Sequence, residues 1–211
     1  MDYGSHSFIE MFRAIARTMA ENRDHLCALD GVIGDADHGI AMQQGFGAVE
    51  KALDALNVAE ASPTDVFNTA AKSFLNAVGA SSGPLYATAM MRAGATLKGK
   101  ARASADDVAQ LIPAMTGGIA DRGKAAAGDK TMLDAWLAAS DQVQSMLGGG
   151  GGAILIAAAD AAQAGADATK DLEAKMGRAA RLGLRSVGHL DPGAASAALM
   201  IRAMAVSFPE V

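Results

Sequence analysis

The chain has 211 residues, of which 18 are Lys or Arg and 23 are Asp or Glu, so its formal net charge is −5 at pH 7. That length predicts one domain with a core large enough to fold without disulfides, and the single cysteine, Cys27, cannot form one within the chain. Only 4% of the residues are aromatic and the basic residues form no run. We therefore expect no nucleic-acid partner, because tracking phosphates and stacking bases need both.

Export and membrane insertion are not predicted either. The first six residues include an acidic side chain and lack the basic and apolar regions of a secretory signal. Apolar stretches are interrupted well before the ~20 residues that a bilayer requires. We expect a cytoplasmic protein without membrane contact, which agrees with its lone thiol.

Apolar residues recur at helical spacing along almost the whole chain. Two amphipathic helices are predicted from Phe8, Phe12, Ile15 and Met19, and from Met42, Phe46, Val49 and Leu53. Six more follow from capping residues and periodicity, near residues 63–78, 84–97, 105–120, 131–147, 153–169 and 193–207. No segment alternates like a strand. The sequence therefore predicts an all-α fold, a single-domain bundle of about eight helices that spans residues 1–211.

Five consecutive glycines at positions 148–152 interrupt the helical pattern. Each glycine costs roughly 1 kcal/mol of helix propensity relative to alanine, so the run predicts a flexible connector between two helices. A domain linker is the alternative. The glycine-rich segments on both sides look chemically related to one site, which favours a single bundle.

The densest polar cluster lies at residues 30–39 and contains Asp30, Asp35, Asp37 and His38. Glycines flank the last two carboxylates, so the backbone can turn sharply and direct both at one point. A cation is the natural occupant of that point. Oxygen ligands of this kind suit Mg²⁺ or Ca²⁺ rather than zinc, which prefers His and Cys.

A calcium-binding EF-hand is excluded, because the twelfth residue counted from Asp35 is Phe46 rather than Glu. The remaining metal hypothesis is Mg²⁺ held together with substrate phosphates. The alternative is that Asp30 and Asp37 cap helix ends while Asp35 is solvated. Three carboxylates beside a histidine favour the metal site over that alternative.

Three glycine-bearing loops lead into predicted helix starts, where free backbone N–H groups can bind anions. They are residues 78–85, 128–132 and 188–193. Each alone is typical of an ordinary turn or capped helix. Together with the carboxylates they predict a site where helix ends converge on an anionic ligand and its Mg²⁺ counter-ions. Residues 118–125 have the spacing of a P-loop, but Ala125 replaces the required Ser or Thr, so we reject that interpretation.

Several of these short segments, in this order and spacing, are specific to a known family. They are residues 33–39, 82–85, 122–125 with 128–132, and 177–179 with 188–189 and 191–193. In them the chain resembles the L subunit of dihydroxyacetone kinase, equivalently the nucleotide-binding domain of the single-chain enzymes. The resemblance extends from end to end of the chain. It implies an all-α barrel of about eight antiparallel helices whose loops at one end close over a nucleotide diphosphate.

The resemblance also implies which residues hold the cofactors, ADP or ATP and two Mg²⁺ ions. The metal ligands would be Asp30, Asp35 and Asp37. The nucleotide contacts would be His38, Gly39, Ser81 and Ser82 at the phosphates, Gly123, Met132, Asp191, Pro192 and Gly193 at the base and ribose, and Arg178 on the closing flap. No catalytic residue beyond these metal and phosphate ligands is implied.

Two positions depart from the family pattern. Ala41 lacks the polar side chain that the family commonly carries there, and Ser81 stands in for a smaller residue. Backbone contacts can survive both changes. We expect these two changes to alter the affinity for the nucleotide or its rate of exchange relative to the family.

The implied activity is phosphoryl transfer from an adenine nucleotide to dihydroxyacetone held on a separate K subunit. As a subunit, the chain resembles the phosphotransferase-system form, in which the M subunit, a phosphohistidine protein, rephosphorylates bound ADP. Two alternatives stay open. In one, ATP exchanges freely and the substrate is another ketose or a polyol; in the other, the chain is a nucleotide-state sensor that binds a transcriptional regulator.

Overall fold

The computed structural model describes residues 2–148 and 153–211, and these residues form helices and no strand. The α-helices are α1 (Ser5–Glu21), α2 (Arg23–Ile33), α3 (His38–Asp54), α4 (Pro63–Ala77), α5 (Ser82–Thr96), α6 (Ala105–Ala109), α7 (Leu111–Gly123), α8 (Met132–Met146), α9 (Ile154–Ala168) and α10 (Pro192–Ser207). Two 3-10 helices, Thr169–Asp171 and Ala179–Ser186, lie between α9 and α10. The predicted all-α class is confirmed.

Eight of the helices form a closed ring. Following the packing contacts, α1 lies against α3, and α4, α5, α7, α8, α9 and α10 follow in order until α10 returns to α1. The short helices α2 and α6 are additions to this ring, and α2 packs against α3 and α10. The expectation of about eight helices therefore describes the ring.

The inside of the ring is filled by large apolar side chains. Phe8 and Phe12 pack edge-on against Phe67, with ring centroids 5.5 and 5.2 Å apart. Tyr86 and Trp136 are fully buried on α5 and α8. Burying a side chain of this size stabilises the fold by about 1.5–3 kcal/mol, so the ring is held by its packed core.

Helix α2 was not predicted, since it lies between the first two predicted helices and ends inside the polar cluster of residues 30–39. Its buried residues are Leu26, Asp30 and Ile33, spaced by four and three positions, which is helical periodicity in spite of the glycine at position 31. Asp30 consequently lies on a helix. Asp35 and Asp37 lie in the loop between α2 and α3.

The prediction of one helix near residues 105–120 is wrong, because two helices, α6 and α7, occupy that segment. The break lies at Gln110 and its cause is Pro113. A proline ring clashes with the carbonyl four residues earlier, which here belongs to Ala109, the last residue of α6. The chain therefore ends one helix at that carbonyl and starts another.

The predicted glycine connector lies largely outside the described residues. Gly148 follows α8 with φ +80°, and positions 149–152 are not described. Within the described part of the chain, no helix combines the length and apolar character that crossing a bilayer demands.

Candidate functional site

A cavity of about 560 Å³ lies where several helices of the ring begin. The helices that start at its wall are α3 at His38, α5 at Ser82, α8 at Met132 and α10 at Pro192. Helix N-termini carry unpaired N–H groups and the positive end of the helix dipole. Four of them around one cavity create a site for an anionic ligand, and the volume suits a molecule of nucleotide size.

One side of the cavity is apolar. Leu85 of α5, Ile119 of α7 and Leu133 of α8 line it together with Met132. Gly123 also lies on this side, and a Cβ there would stand 3.0 Å from Leu85 Cδ2. The wall therefore combines an apolar face, suited to a flat ring, with the polar helix starts.

Three carboxylates lie together at the α2–α3 end of the cavity, and we call Asp30, Asp35 and Asp37 the carboxylate cluster. One oxygen from each lies within 4.8 Å of the others. Asp30 is buried, whereas Asp35 and Asp37 are exposed. Oxygen ligands in this arrangement could hold a divalent cation such as Mg²⁺.

The backbone of the 34–39 loop shapes the cluster. The residue with left-handed geometry is Ala36, at φ +63°, between the two exposed carboxylates. A non-glycine residue pays roughly 1–2 kcal/mol for that conformation. Gly34 has a different role, because a Cβ there would overlap Asp30 Oδ1. Asp30 Oδ2 in turn accepts hydrogen bonds from the backbone N–H groups of Asp37 (3.0 Å) and His38 (3.2 Å), which fixes its carboxylate.

The imidazole of His38 forms a hydrogen bond with a residue that does not itself line the cavity. Its Nε2 lies 2.9 Å from the hydroxyl of Ser196, and that hydroxyl donates to the Gly193 carbonyl at 3.0 Å. Burial lowers the pKa of His38, and the nearby charge of Asp30 opposes that shift. The environment therefore favours the neutral ring.

Three buried polar atoms have no hydrogen-bond partner among the described residues: Ser82 Oγ, Tyr86 Oη and Trp136 Nε1. Ser82 lies on the cavity wall, although its hydroxyl oxygen is buried. Tyr86 lies beside Trp136 and Ser196 without an aligned hydrogen bond to either, and burial raises the pKa of Tyr86 to about 12.

A buried lysine and a buried aspartate support the far side of the cavity. Asp191 caps α10 by accepting a 2.7 Å hydrogen bond from Ala194 N–H, and burial raises the pKa of Asp191 to about 7 against the effects of that bond and of Lys130. Lys130 is 1% exposed and donates to the carbonyls of Thr169 and His189. Burial lowers the pKa of Lys130, opposed by the charge of Asp191.

Residues 172–188, which we call the flap, lie between the two anchored ends of this region. Arg178 of the flap lines the cavity and forms an ion pair with Asp35 of the carboxylate cluster. Lys175 N–H donates to the carbonyl of Asp129 at 3.1 Å at one end of the flap, and Gly188 N–H donates to the carbonyl of Lys170 at 2.7 Å at the other. The flap is thus fixed at its ends, with a cation at the cavity between them.

Comparison with known proteins identifies the family. The DAK2 domain matches residues 32–206. The chain belongs to the DAK2 family. The ADP-binding subunit DhaL of the PEP-dependent dihydroxyacetone kinase 1 of Listeria innocua is 38% identical over 204 residues, which cover 97% of each chain. The corresponding subunit of the PTS-dependent kinase of Lactococcus lactis is 35% identical, over 93% of this chain and 94% of that subunit.

The fold of this DAK2 chain has a counterpart among solved structures. The dihydroxyacetone kinase of C. freundii in complex with AMP-PNP and Mg²⁺ superimposes with a TM-score of 0.69 at 27% identity. The match covers 94% of this chain and 33% of the C. freundii chain, so the DAK2 chain spans about a third of that protein. The resemblance to the L subunit of dihydroxyacetone kinase is confirmed.

The fold brings nearly all of the sequence-predicted site residues of this DAK2 chain to one cavity. Its wall includes Asp30, Asp35, Asp37, His38, Ser81, Ser82, Gly123, Met132, Arg178, Asp191, Pro192 and Gly193. Gly39 is absent from that wall. A Cβ at Gly39 would overlap the backbone of Arg23, so this glycine allows α3 to approach α2 closely. Ala41, one of the two departures from the family pattern, also lines the cavity.

Two residues of this DAK2 site were missed by sequence reasoning. Lys130 lies within the glycine-bearing segment 128–132, but no neighbouring residue in the sequence indicates that its ammonium is buried. Ser196 had a usable signal, because it is a polar residue inside the small and apolar segment 193–201, and a buried hydroxyl needs a partner.

Proposed function

We propose that this DAK2 chain is the nucleotide-binding subunit of a dihydroxyacetone kinase. In this proposal it forms one domain over residues 1–211, binds ADP or ATP with Mg²⁺, and passes a phosphoryl group to dihydroxyacetone held by a separate K subunit. The observation that carries the proposal is the carboxylate cluster on the wall of a cavity where four helices begin. The relatives named ADP-binding subunits support it.

The carboxylate cluster fits the implied metal. Its donor set consists of oxygens, and one oxygen from each of Asp30, Asp35 and Asp37 already lies within 4.8 Å of the others, as hard cations require. In the proposal the three residues hold two Mg²⁺ ions. When bound, Mg²⁺ neutralises the phosphate oxygens and orients them for in-line transfer.

The other wall residues bind and orient the nucleotide. The N-termini of α3, with His38, and of α5, with Ser81 and the unpartnered Ser82 hydroxyl, receive the phosphates. Gly39 contributes by setting the close approach of α3 to α2. The base and ribose lie against Gly123 and Met132 and against the turn formed by Asp191, Pro192 and Gly193. Arg178 brings positive charge from the flap and helps to exclude water when the flap covers the ligand.

The phosphoryl donor is the finer part of the proposal. We assign it to the M subunit, a phosphohistidine protein of the phosphotransferase system, acting in the cytoplasm on ADP that remains bound. The PTS-dependent and PEP-dependent names of the two bacterial relatives support this assignment.

The donor assignment is tested by the nucleotide that the protein retains. We expect freshly purified protein, once denatured, to release one ADP per chain together with Mg²⁺, and we expect labelled ATP to exchange slowly into the intact protein. Rapid ATP exchange at an empty site would contradict the donor assignment and would indicate an ATP-dependent kinase. A chain that binds no adenine nucleotide would overturn the proposed function.

The metal assignment is tested by Asp35→Asn, assayed with the K subunit at saturating Mg²⁺. Losing one charged ligand should slow formation of dihydroxyacetone phosphate on the order of 100-fold, equivalent to about 2.7 kcal/mol. Asp141→Asn, which changes an exposed carboxylate on α8, is the matched control and should keep full activity. Undiminished activity in Asp35→Asn would show that the metal lies elsewhere.

A further inference from the structure

The buried hydroxyl of Ser196 contacts two residues of the cavity wall, His38 and Gly193. Ser196 is fully buried in α10 and does not itself line the cavity. Its Oγ lies 2.9 Å from Nε2 of His38, the first residue of α3, and 3.0 Å from the carbonyl of Gly193 in the first turn of α10. Both partners do line the cavity, so Ser196 can influence a ligand only through them.

The two hydrogen bonds of Ser196 share one hydroxyl proton. A serine hydroxyl has one proton, and a carbonyl oxygen can only accept. When the proton lies on the Gly193 side, Ser196 accepts from His38 and Nε2 of His38 carries a hydrogen. When the proton lies on the His38 side, Nε2 is the acceptor and the hydrogen of the neutral ring is on Nδ1.

The surrounding groups favour the first of these two arrangements. Tyr86 Oη is buried beside Ser196 and Trp136, and neither Tyr86 Oη nor Trp136 Nε1 has a hydrogen-bond partner among the described residues. An indole N–H can only donate, and a tyrosine hydroxyl that accepts from it has its own proton to offer. A donor therefore lies beside Ser196, which favours the arrangement in which the Ser196 proton goes to the Gly193 carbonyl.

We propose that Ser196 is a positioning residue that holds His38 in the Nε2–H tautomer and in one orientation. Ser196 then joins the first turn of α10 to the wall residue His38 in a fixed geometry. Only the nucleotide-affinity readout given below rests on the proposed function.

The tautomer is measured directly on the full-length, nucleotide-free protein. Long-range ¹H–¹⁵N correlation spectra distinguish the two neutral tautomers, and His38→Gln identifies the His38 signals among those of the four histidines. We expect the Nε2–H pattern in the wild type and a mixture of tautomers in Ser196→Ala. Ser207→Ala is the control, since Ser207 lies in the same helix and donates to Ala203 at 2.8 Å, and it should leave His38 unchanged.

An Nδ1–H pattern in the wild type, or a His38 pattern that is the same in Ser196→Ala, would overturn the proposal. If Ser196→Ala does not fold, Ser196→Cys keeps the size of the side chain with a weaker acceptor, and the same change is expected in smaller degree. An unchanged pattern in a folded Ser196→Cys variant would then count against the proposal.

Ligand affinity gives the second readout. We expect Ser196→Ala to weaken binding of ADP with Mg²⁺ by about threefold to tenfold, the effect of loosening one hydrogen-bonded side chain, while the affinity in Ser207→Ala stays the same. An unaltered affinity would overturn the positioning role. If the wild type binds no ADP but shows the expected tautomer change, the proposed function fails and the tautomer assignment stands.

Discussion

At the scale of single residues, the contact between Arg178 and Asp35 puts a side-chain cation on one of the three clustered carboxylates. The two side chains are 61% and 38% exposed, so water weakens the pair. A guanidinium and a divalent cation are nonetheless attracted to the same negative charge. The Arg178 guanidinium therefore competes with a metal ion for the Asp35 carboxylate.

Arg178→Ala should consequently bind divalent cations more tightly when no nucleotide is present. For a partly exposed ion pair worth about 0.4–1 kcal/mol, the expected gain in affinity is about twofold to fivefold. The measurement is a titration with Mn²⁺ followed by electron paramagnetic resonance. Arg181→Ala removes an exposed cation from the same flap and should change the affinity little. Weaker Mn²⁺ binding in Arg178→Ala would mean that the guanidinium supports the metal instead.

At the scale of structural elements, one serine joins the two sides of the flap. Ser186 is fully buried, accepts a 2.9 Å hydrogen bond from Ala174 N–H and donates to the carbonyl of Gly183 at 2.7 Å. Few other buried contacts cross this segment, whose remaining side chains are largely exposed. Ser186 therefore provides a buried link between the two sides of the flap.

Ser186→Ala should loosen the flap with little effect on the ring. We expect the free energy of unfolding to fall by about 1 kcal/mol, the contribution of a typical hydrogen bond. Hydrogen exchange at residues 174–186 should become faster, while exchange in α1 stays the same. Ser145→Ala, which removes an exposed hydroxyl on α8, is the control. Protection of the flap equal to that of the wild type would contradict this role for Ser186.

At the scale of the whole molecule, Lys130 joins segments that are far apart in the chain. From the loop before α8, its ammonium donates to Thr169 after α9 and to His189 before α10, and it neighbours the buried Asp191. Thr169 also accepts a hydrogen bond from Asp191 N–H at 3.0 Å. One buried cation thereby ties together the part of the ring that carries the flap.

Lys130→Met should lower the free energy of unfolding by about 2–4 kcal/mol, because two carbonyls lose their charged donor and Asp191 loses its neighbouring cation. Lys124→Met is a matched control. Both lysines have left-handed backbone geometry, at φ +59° and +58°, but Lys124 is exposed and should contribute little.

The cost of Lys130→Met should depend on pH. The pKa of Asp191 is raised to about 7 in the folded protein, so its contribution to stability is fully present below its ordinary value and is lost as the pH rises through 7. Without Lys130, ionising the buried carboxyl is harder still. Urea unfolding should therefore show a larger difference between variant and wild type at pH 8 than at pH 5, and an equal difference at both values would exclude this coupling.

Much of the helical architecture could be predicted because its signals are local. The apolar periods of α1 and α3 and the capping residues Ser62 and Ser104 each act within a few positions, and both caps accept a backbone hydrogen bond. The predicted helices were wrong where two local signals opposed each other. Helical periodicity in α2 outweighed the glycine within it, and Pro113 broke a segment that otherwise has a continuous helical pattern.

The sequence by itself determined the all-α class, the helix starts and the set of polar residues available to a site. Asp30, Asp35 and Asp37 are close in the chain, so a short turn suffices to bring them together. The tertiary structure decided the long-range pairs: Arg178 with Asp35, His38 with Ser196, and Lys130 with Thr169 and His189. The physical reason is that these partners meet only when the ring closes and buries them, and no periodicity or capping signal extends over that many residues.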